Sequence, residues 1–571
     1  MTRSPREPDL ESGHSAPTVV DSRRLMGPNL LHEGLGAVLD VSLNDVTRDR
    51  NDEVLHQWHA RVAVLVASLG WPDAHTVQRL YPGGASLFVH APIDQLMTAT
   101  EVCESAWVFA EQLVDGRDVP VNTTLPALQA FAQVELRPAL RNVWNEGQRL
   151  GLNITFDETT VCVGSGIGAF CWPIDELPPI DAIDWPALRD IPIVLVTGSN
   201  GKTTVVRMVA AMARADGHVV GYTCTDGVWI GDMQVESGDW SGPVGARRVL
   251  QDASVTLAVL ETARGGLLRR GLALQRAAVA AIVTLSPDHY GDYGINDLAT
   301  LAEAKLVVGR AVCETGAMVY NADVPALADA VAKYTGRLIA VTSPTSQSAS
   351  AETVRSGATA RLSPEQLASI PATLNGTATH NLLNARIAEA IAAELSLGEP
   401  ATQALLRFGA GADDNVGRLM VKQVGGVTVV IDYAHNAQGV AALIDATRAM
   451  PAARRAIALG TGGDRDDTAL QAIAQAAFDS GVIDLYIAKE MPKFLRGRAP
   501  GSISGVLLDA LRSLGVAEEK LVSADDDLVA ARIALQWAHD GDLVLLATHD
   551  QRDAVLALLA DSARTRDPAH P

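Results

Sequence analysis

The pattern of apolar and polar positions divides the chain into three units of mixed helix and strand. In the first unit, residues 24–180, short apolar runs such as GAVLDVSL alternate with longer segments that carry apolar residues at helical spacing. A proline-rich stretch, PIDELPPIDAIDWP, lies at 173–186 and is typical of a linker. The first unit is therefore interpreted as a small mixed α/β domain that precedes the main body of the chain.

A regular alternation of strands and helices begins after this linker. Strands are predicted in IPIVLVT, HVVGYTC, VTLAVLE and AAIVTLS, and the segments between them have the pattern of helices. Such alternation predicts a parallel sheet with helices on both faces over residues 187–415. A second, shorter series over residues 416–571 predicts a Rossmann-like C-terminal domain. In both sheets, ligand-binding groups are expected at the carboxyl ends of the strands.

Composition and charge narrow the class of protein. With 571 residues, of which 48% are hydrophobic and 20% charged, the chain has the composition of a multidomain globular protein. The net charge of −21 argues against nucleic acid as a partner. No apolar run approaches the roughly 20 residues that span a bilayer, and the polar segment 1–23 is expected to be a disordered leader. We therefore expect a cytoplasmic protein that binds neither nucleic acid nor a membrane.

Two further features predict no ligand. The cysteines show neither CxxC pairing nor metal-ligand spacing, which predicts reduced and mostly packed thiols at Cys103, Cys162, Cys171, Cys224 and Cys313. The run GSGIG at 164–168 superficially resembles a dinucleotide-binding turn. The residues that follow it, CWPIDELPPI, cannot begin a helix, so an ordinary turn is favoured.

One stretch carries a phosphate-binding pattern. TGSNGKTT at 197–204 follows an apolar strand and opens a helical segment. Backbone N–H groups of the turn and the helix N-terminus can converge on phosphate oxygens, Lys202 adds a positive charge, and Thr203 offers a hydroxyl to Mg²⁺. The alternative is a glycine-rich turn with an incidental lysine. The residues predicted to bind ATP here are Gly198, Asn200, Gly201, Lys202, Thr203 and Thr204.

Charged residues follow several other predicted strands. Glu261 ends VTLAVLE, where a carboxylate can hold Mg²⁺ but is also open to a role as helix cap or salt-bridge partner. His289 follows AAIVTLS and is either a ligand or a packed or solvated side chain. Lys305, in a predicted amphipathic helix, is by itself typical of a solvated lysine. In the C-terminal unit, ligand binding and ordinary turn chemistry are both open for Asp432, His435, Asp464, Arg465 and Asp466.

Taken together and in order, these motifs resemble the Mur ligases. The resemblance rests on TGSNGKTT (197–204), LETARGG (260–266), PDHYGDYG (287–294), HNLLNA (380–385), DYAHN (432–436) and GGDRD (462–466). Longer stretches are similar to the Mur-like half of cyanophycin synthetases, among them LETARGGLLRRGL (260–272) and KEMPKFLRGRAPG (489–501). The resemblance implies a central P-loop ATPase domain, a C-terminal Rossmann-like domain, and ATP-dependent amide formation with Mg²⁺.

The resemblance also implies roles for the catalytic residues. Lys202 and the loop amides would hold the β- and γ-phosphates of ATP. Thr203 and Glu261 would bind Mg²⁺, and His289 matches the family histidine at a second metal. Lys305 matches a lysine that many family members carbamylate, so a carbamylated lysine is implied at this position.

Other matched positions would bind the substrates. Asn384 would contact the adenine of ATP, Asp432 the ribose and Arg418 the phosphates. Thr284 stands where the family has asparagine, which bears on fine positioning rather than on charge. The residues that would face the acceptor or the incoming amino acid are Asp226, Asp239, Arg264, His435, Asp464 and Arg465.

One domain of the cyanophycin synthetases has no counterpart between the first two units. Those enzymes carry an ATP-grasp domain there, which adds aspartate, whereas about fifty residues (140–190) separate the two units here. We therefore expect one ATP site and an amide ligase that activates an acceptor carboxylate as an acyl phosphate. By analogy with the cyanophycin synthetases, the reaction would join arginine to an aspartyl acceptor. The alternative is a catalytically weak scaffold or polymer-binding partner of a complete synthetase. The expected protein partners are a separate ATP-grasp enzyme and further copies of this chain in a homo-oligomer.

Overall fold

The N-terminal domain is built on a four-stranded antiparallel sheet covered by two long helices. The computed structural model describes residues 17–43, 48–117, 119–287, 290–344, 362–411 and 413–566. The first elements are β1 (Thr18–Leu25), β2 (Gly36–Ser42), α1 (Arg48–Ser68), β3 (Thr76–Tyr81), β4 (Gly84–His90), α2 (Leu96–Val114), α3 (Leu125–Glu135) and α4 (Pro138–Leu150). The strand order is β1-β2-β4-β3. Trp58 of α1 and Trp107 of α2 are buried in the core against the sheet.

A small antiparallel sheet packs into the same core. Its strands, in the order β5-β6-β7, are β5 (Ile154–Phe156), β6 (Thr160–Val163) and β7 (Phe170–Pro173). The glycine run at 164–168 connects β6 to β7 through one 3₁₀ turn, as expected for an ordinary turn.

Two predictions about this domain were wrong. Residues 18–23 belong to β1 and pair with β2, so the predicted disordered leader does not extend to residue 23; residues 1–16 lie outside the described residues. Cys162 and Cys171 form a disulfide rather than reduced thiols. Their spacing carries no pairing signal, but the antiparallel register of β6 and β7 places them directly opposite each other. Cys103, Cys224 and Cys313 are free thiols, as predicted.

The central domain contains an eight-stranded sheet. Its elements are β8 (Ile193–Thr197), α5 (Lys202–Ala215), β9 (Val220–Cys224), β10 (Gly227–Ile230), β11 (Met233–Ser237), α6 (Pro243–Leu250), β12 (Leu257–Glu261), α7 (Arg264–Arg270), β13 (Ala277–Ile282), α8 (Leu298–Leu306), β14 (Val312–Asn321), α9 (Pro325–Val331), β15 (Leu338–Val341), α10 (Pro364–Ala368), α11 (Thr379–Glu394) and α12 (Glu399–Arg407). The strand order is β11-β10-β9-β12-β8-β13-β14-β15.

Six strands of this sheet are parallel, and helices cover both faces. The core on one face joins α5, α11 and α12 to the sheet, and the core on the other joins α6, α7, α8 and α9. The antiparallel hairpin of β10 and β11 extends one edge, an addition to the parallel sheet that was predicted. Because β8, β12 and β13 are neighbours at the centre, their carboxyl ends bring the predicted phosphate loop (residues 198–201) and Glu261 together.

The C-terminal domain is a second, smaller α/β sandwich. Its elements are β16 (Met420–Val424), β17 (Val427–Asp432), α13 (Ala437–Thr447), β18 (Arg455–Leu459), α14 (Asp467–Asp479), β19 (Leu485–Lys489), α15 (Ser502–Ser513), β20 (Leu521–Ala524), α16 (Asp527–Trp537), β21 (Leu543–Ala547) and α17 (Arg552–Arg566). The strand order is β16-β17-β21-β18-β19-β20, with only β16 antiparallel. The predicted α/β fold class is confirmed.

The N-terminal domain docks on α7 of the central domain. Met26 N donates to Arg270 O (2.8 Å), and the Arg23 guanidinium donates to Leu268 O (3.1 Å from Nη2). Arg79 reaches the loop after β13, where its Nη1 donates to Tyr293 O (2.9 Å). No helix in the described part of the chain is long and apolar enough to cross a membrane.

Candidate active site

The phosphate loop lies between β8 and α5, and two of its glycines occupy conformations that favour glycine. Gly198 has φ +155° and Gly201, which caps α5, has φ +84°. A Cβ on Gly201 would lie 2.5 Å from Asn384 Oδ1, so the backbone approaches α11 more closely than a side chain permits. Thr284 braces the loop, because its hydroxyl accepts from Asn200 N and donates to Asn200 O, both at 2.8 Å. The backbone N–H of Asn200 is therefore already hydrogen-bonded to Thr284.

Glu261, Thr203 and Lys202 meet beside this loop. Thr203 Oγ1 donates to Glu261 Oε2 (2.8 Å), and Lys202 Nζ lies 3.9 Å from Glu261 Oε1. Burial raises the pKa of Glu261, while Lys202 and the Thr203 hydroxyl act in the opposite direction. Among the described residues, the buried Glu261 Oε1 accepts no hydrogen bond. A buried carboxylate oxygen next to a hydroxyl fits a hard cation such as Mg²⁺.

A cavity of about 370 Å³ opens on one side of the loop. All predicted ATP-binding residues except Gly198 line it, including Asn384, Asp432 and Arg418. Asp432 Oδ2 accepts from Leu419 N (2.8 Å), and burial raises the pKa of Asp432. The cavity joins the central and C-terminal domains, since its walls come from both.

Arg418 is held at this cavity by two residues that the sequence analysis did not select. Its guanidinium carbon lies 4.0 Å from the centre of the Tyr433 ring, and its Nη2 donates to Thr225 Oγ1 (3.0 Å). Tyr433 stands inside the DYAHN motif and could have been found there. Thr225 carries no local signal, because it reaches the site only through the fold.

A second cavity, of about 560 Å³, lies on the other side of the loop. It contains several residues predicted to face the acceptor or the amino acid, and its charged lining is Lys202, Asp239, Arg264, Arg269, Arg270, Asp292, Lys305, His435, Asp464 and Arg496. Lys202 and His435 line both cavities. The loop therefore lies between the cavity of about 370 Å³ and a second, highly charged one.

Lys305 is buried in the wall of this second cavity, with 3% of its surface exposed. The solvated-lysine interpretation was therefore wrong, because helical spacing alone does not show which face another element covers. Asp297 caps the helix that carries it by accepting from Thr300 N (2.8 Å). Carbamylation of Lys305 stays a prediction.

Two other predicted site residues are placed differently. Asp226 lines neither cavity; its carboxylate pairs with Arg207 (2.7 Å) and with Arg552 of the C-terminal domain. Burial would raise the pKa of Asp226, but Arg418, Arg207 and Arg552 outweigh it and hold that pKa below its usual value. Arg465 also lines neither cavity. His289 lies outside the described residues.

Two family models match the two domains that form the site. The model of the Mur ligase middle domain matches residues 196–392, and that of the Mur ligase glutamate ligase domain matches residues 417–549. The chain is 30% identical over 345 residues to the UDP-N-acetylmuramoylalanine–D-glutamate ligase of Methylococcus capsulatus, covering 60% of this chain and 68% of that protein. The chain belongs to the Mur ligase family. Members of this family are ATP-dependent, ADP-forming acid–amino-acid ligases, which is the enzyme class that the sequence predicts.

The chain is also similar to cyanophycin synthetases and to solved structures of the same fold. The chain is 35% identical over 341 residues to the cyanophycin synthetase of Crocosphaera subtropica, which is 57% of this chain and 38% of that one. It thus spans about two fifths of the cyanophycin synthetases it matches. Among solved structures, E. coli FolC with ADP is 17% identical with a TM-score of 0.47, covering 66% of this chain and 90% of that one. A TM-score below 0.5 does not bear on function.

Proposed function

We propose that this chain is an ATP-dependent amide ligase that activates a carboxylate in the second cavity and joins it to an amino acid. The observation that carries the proposal is the position of Lys202, whose side chain lines both cavities. A γ-phosphate held at the loop would lie between the two cavities, next to a carboxylate held on the other side. Transfer of the γ-phosphoryl group would form an acyl phosphate, and attack by the amine would release phosphate.

Charge is the main physical obstacle to this reaction. An anionic carboxylate must approach the negatively charged end of ATP, so positive groups have to offset the repulsion and the charge that develops during transfer. Lys202, Arg418 and the N-terminus of α5 supply that charge from this chain. Thr203 and Glu261 would hold Mg²⁺, which when bound neutralises phosphate oxygens further.

The second cavity favours substrates that carry both signs of charge. Arg264, Arg269, Arg270 and Arg496 offer guanidinium groups, which suit carboxylates. Asp239 and Asp464, one from each domain, offer carboxylates, which suit an amine or a guanidinium. This lining supports an aspartyl acceptor and arginine as the incoming amino acid, the pair suggested by the cyanophycin synthetase relatives.

The connection between the first two domains supports a single ligation reaction within this chain. The described residues between α4 and β8 form the small β5–β7 sheet and a short linker, and they hold no second nucleotide domain. We propose that the aspartyl backbone is made by a separate ATP-grasp enzyme and that this chain adds to it.

The test is coupled product formation. Purified protein with Mg-ATP, an aspartyl peptide and arginine should release ADP and phosphate and give a ligated product by mass spectrometry. ADP release should require both acceptor and amine. Lys202→Ala should abolish product, because the phosphate charge is no longer offset.

The matched control is Lys520→Ala, which removes an exposed lysine of the C-terminal domain. It should retain full activity. Unchanged product formation in Lys202→Ala would refute the proposed role of the loop. Failure of the unmodified protein to ligate any pair from an amino-acid and acceptor panel would favour the scaffold alternative.

A further inference from the structure

A buried polar cluster lies beside the DYAH turn, residues 432–435, of the C-terminal domain. It comprises Lys489 at the end of β19, Asp527 at the start of α16 and His549 just after β21. Lys489 Nζ lies 2.6 Å from Asp527 Oδ1 and 2.9 Å from His549 Nδ1. The side chains of Lys489 and Asp527 are 1% and 2% exposed, and neither belongs to the lining of the two cavities. The mechanism above uses none of the three.

The hydrogen-bond directions in this cluster follow from its chemistry. A lysine ammonium has no acceptor, so His549 Nδ1 must accept from Lys489. His549 Nε2 lies 3.1 Å from Ala434 O, and a carbonyl can only accept, so the ring proton is on Nε2. Burial, and then the charge of Lys489, hold the pKa of His549 well below its usual value, which agrees with a neutral ring.

Asp527 anchors the other side of the histidine. Its Oδ2 accepts from the backbone N–H groups of His549, Asp550 and Gln551 at 2.8–3.0 Å. Burial would raise the pKa of Asp527, but Lys489, His549 and these N–H groups lower it below its usual value. The loop after β21 is thus tied to α16, and the imidazole is held in one orientation.

The imidazole Nε2 is hydrogen-bonded to the backbone of the DYAH turn. That turn carries Tyr433, whose ring supports Arg418, and His435, which lines both cavities. The His549 ring also packs edge-on against Tyr433, with centroids 4.9 Å apart. An error of about 1 Å in the placement of reacting groups can cost about a hundredfold in rate. Burying a lysine and an aspartate is costly, and an apolar cluster would fill the same volume more simply.

We propose that Lys489, Asp527 and His549 are positioning residues that hold the Tyr433–His435 turn in register with the phosphate loop. The inference rests on the proposed function. The triad touches no substrate; it acts through the Ala434 carbonyl and sets where Arg418 and His435 stand relative to Lys202.

The first test is a pair of substitutions at His549. His549→Phe keeps an aromatic ring against Tyr433 and removes both hydrogen bonds, so kcat should fall about 10- to 100-fold. Mg-ADP affinity, measured by calorimetry, should change less than about tenfold, because the phosphate loop belongs to the other domain. His549→Gln restores one donor and one acceptor and should recover most of the lost kcat. A kcat within about twofold of the unmodified protein in His549→Phe would overturn the proposal.

Asp542→Asn is the matched control. Asp542 is buried at the opposite end of the same strand, β21, where it pairs with Arg454. The Asp542→Asn variant should have a lower melting temperature than the unmodified protein but the same kcat. If Asp542→Asn lost kcat to the same extent at an equal shift of melting temperature, the triad would be merely structural.

A second measurement needs no folded variant. In ¹⁵N-histidine-labelled protein at pH 7, the His549 ring should be the neutral Nε2–H tautomer. Its NMR signal is assigned by its absence in His549→Gln. If that variant does not fold, the signal is assigned by the nuclear Overhauser effect between the His549 and Tyr433 rings. An imidazolium or an Nδ1–H tautomer would overturn the triad. If the unmodified protein forms no amide product, the proposed function fails, while the tautomer still decides the geometry inferred here.

Discussion

Replacing Asp226 by alanine should loosen the contact between the central and C-terminal domains. Asp226 lies in the turn between β9 and β10 and bridges two arginines from different domains. Arg207 of α5 is 7% exposed and lies 2.7 Å away, while Arg552, at the start of α17, is 24% exposed. Arg207 also donates to Val416 O (3.0 Å), next to the predicted domain boundary. Asp226→Ala therefore leaves a buried guanidinium without its carboxylate.

The two pairs differ in their expected energies. Removing one partner of a buried ion pair costs about 3–5 kcal/mol. Pairs nearer the solvent contribute less, about 0.2–1 kcal/mol when they are exposed, and Arg552 is the more exposed of the two arginines. We expect Asp226→Ala to lower the free energy of unfolding of the central domain by the larger amount and Arg552→Ala by the smaller. The double variant should be close to Asp226→Ala alone, since that substitution already removes the shared interaction.

The assay is urea unfolding followed by circular dichroism, together with hydrogen exchange of α17. Exchange at the start of α17 should rise in Asp226→Ala. The fold lowers the pKa of Asp226. The stability that Asp226 contributes is therefore fully present above its pKa in the unfolded chain, about 3.9, and is lost only as the pH falls through its pKa in the folded protein. The effect should therefore be constant between about pH 6 and 8.

The control for this prediction is Asp232→Ala in the next turn of the same domain. Asp232 is 94% exposed and lies 3.4 Å from Arg214, so its removal should cost less than about 0.5 kcal/mol. The reasoning would be refuted if Asp226→Ala changed stability by less than about 1 kcal/mol and instead raised KM for the acceptor. That result would restore the substrate role implied by the family resemblance.

Two further substitutions test the nucleotide site. Gly201→Ala should weaken Mg-ADP binding at least about tenfold by calorimetry, because residue 201 has φ +84° and the added Cβ would lie 2.5 Å from Asn384 Oδ1. The control is Gly505→Ala, since no atom lies within 4 Å of a Cβ at that position. Equal Mg-ADP affinities of the two variants would contradict the predicted role of the loop in nucleotide binding. Because burial raises the pKa of Glu261, the stability it contributes at low pH is lost as pH rises through its folded pKa. Glu261→Gln should flatten that decline in melting temperature and abolish ADP formation; a variant that kept its activity would exclude Glu261 from the metal site.

Contacts between residues far apart in the chain are the features that the sequence alone does not predict. Asp226 and Arg552 are separated by 326 positions, so no local pattern could show that they pair. Lys305 lies on a helix whose spacing is equally compatible with a solvated and a covered face, and only the packed structure buries it. The Cys162–Cys171 disulfide depends on the register of two strands, which the cysteine spacing does not encode.

Local chemistry, by contrast, was readable from the chain itself. The apolar strand, the glycine turn and the lysine–threonine pair of TGSNGKTT predict a phosphate-binding turn between a strand and a helix, and the strand and the helix are there. The alternation of strands and helices specified the α/β class in the same way. The tertiary structure alone decided that Lys202 stands between two cavities, and that Glu261 is buried beside Thr203. Those facts depend on which strands lie side by side and on how two domains meet, and these follow from burial and pairing across the whole chain.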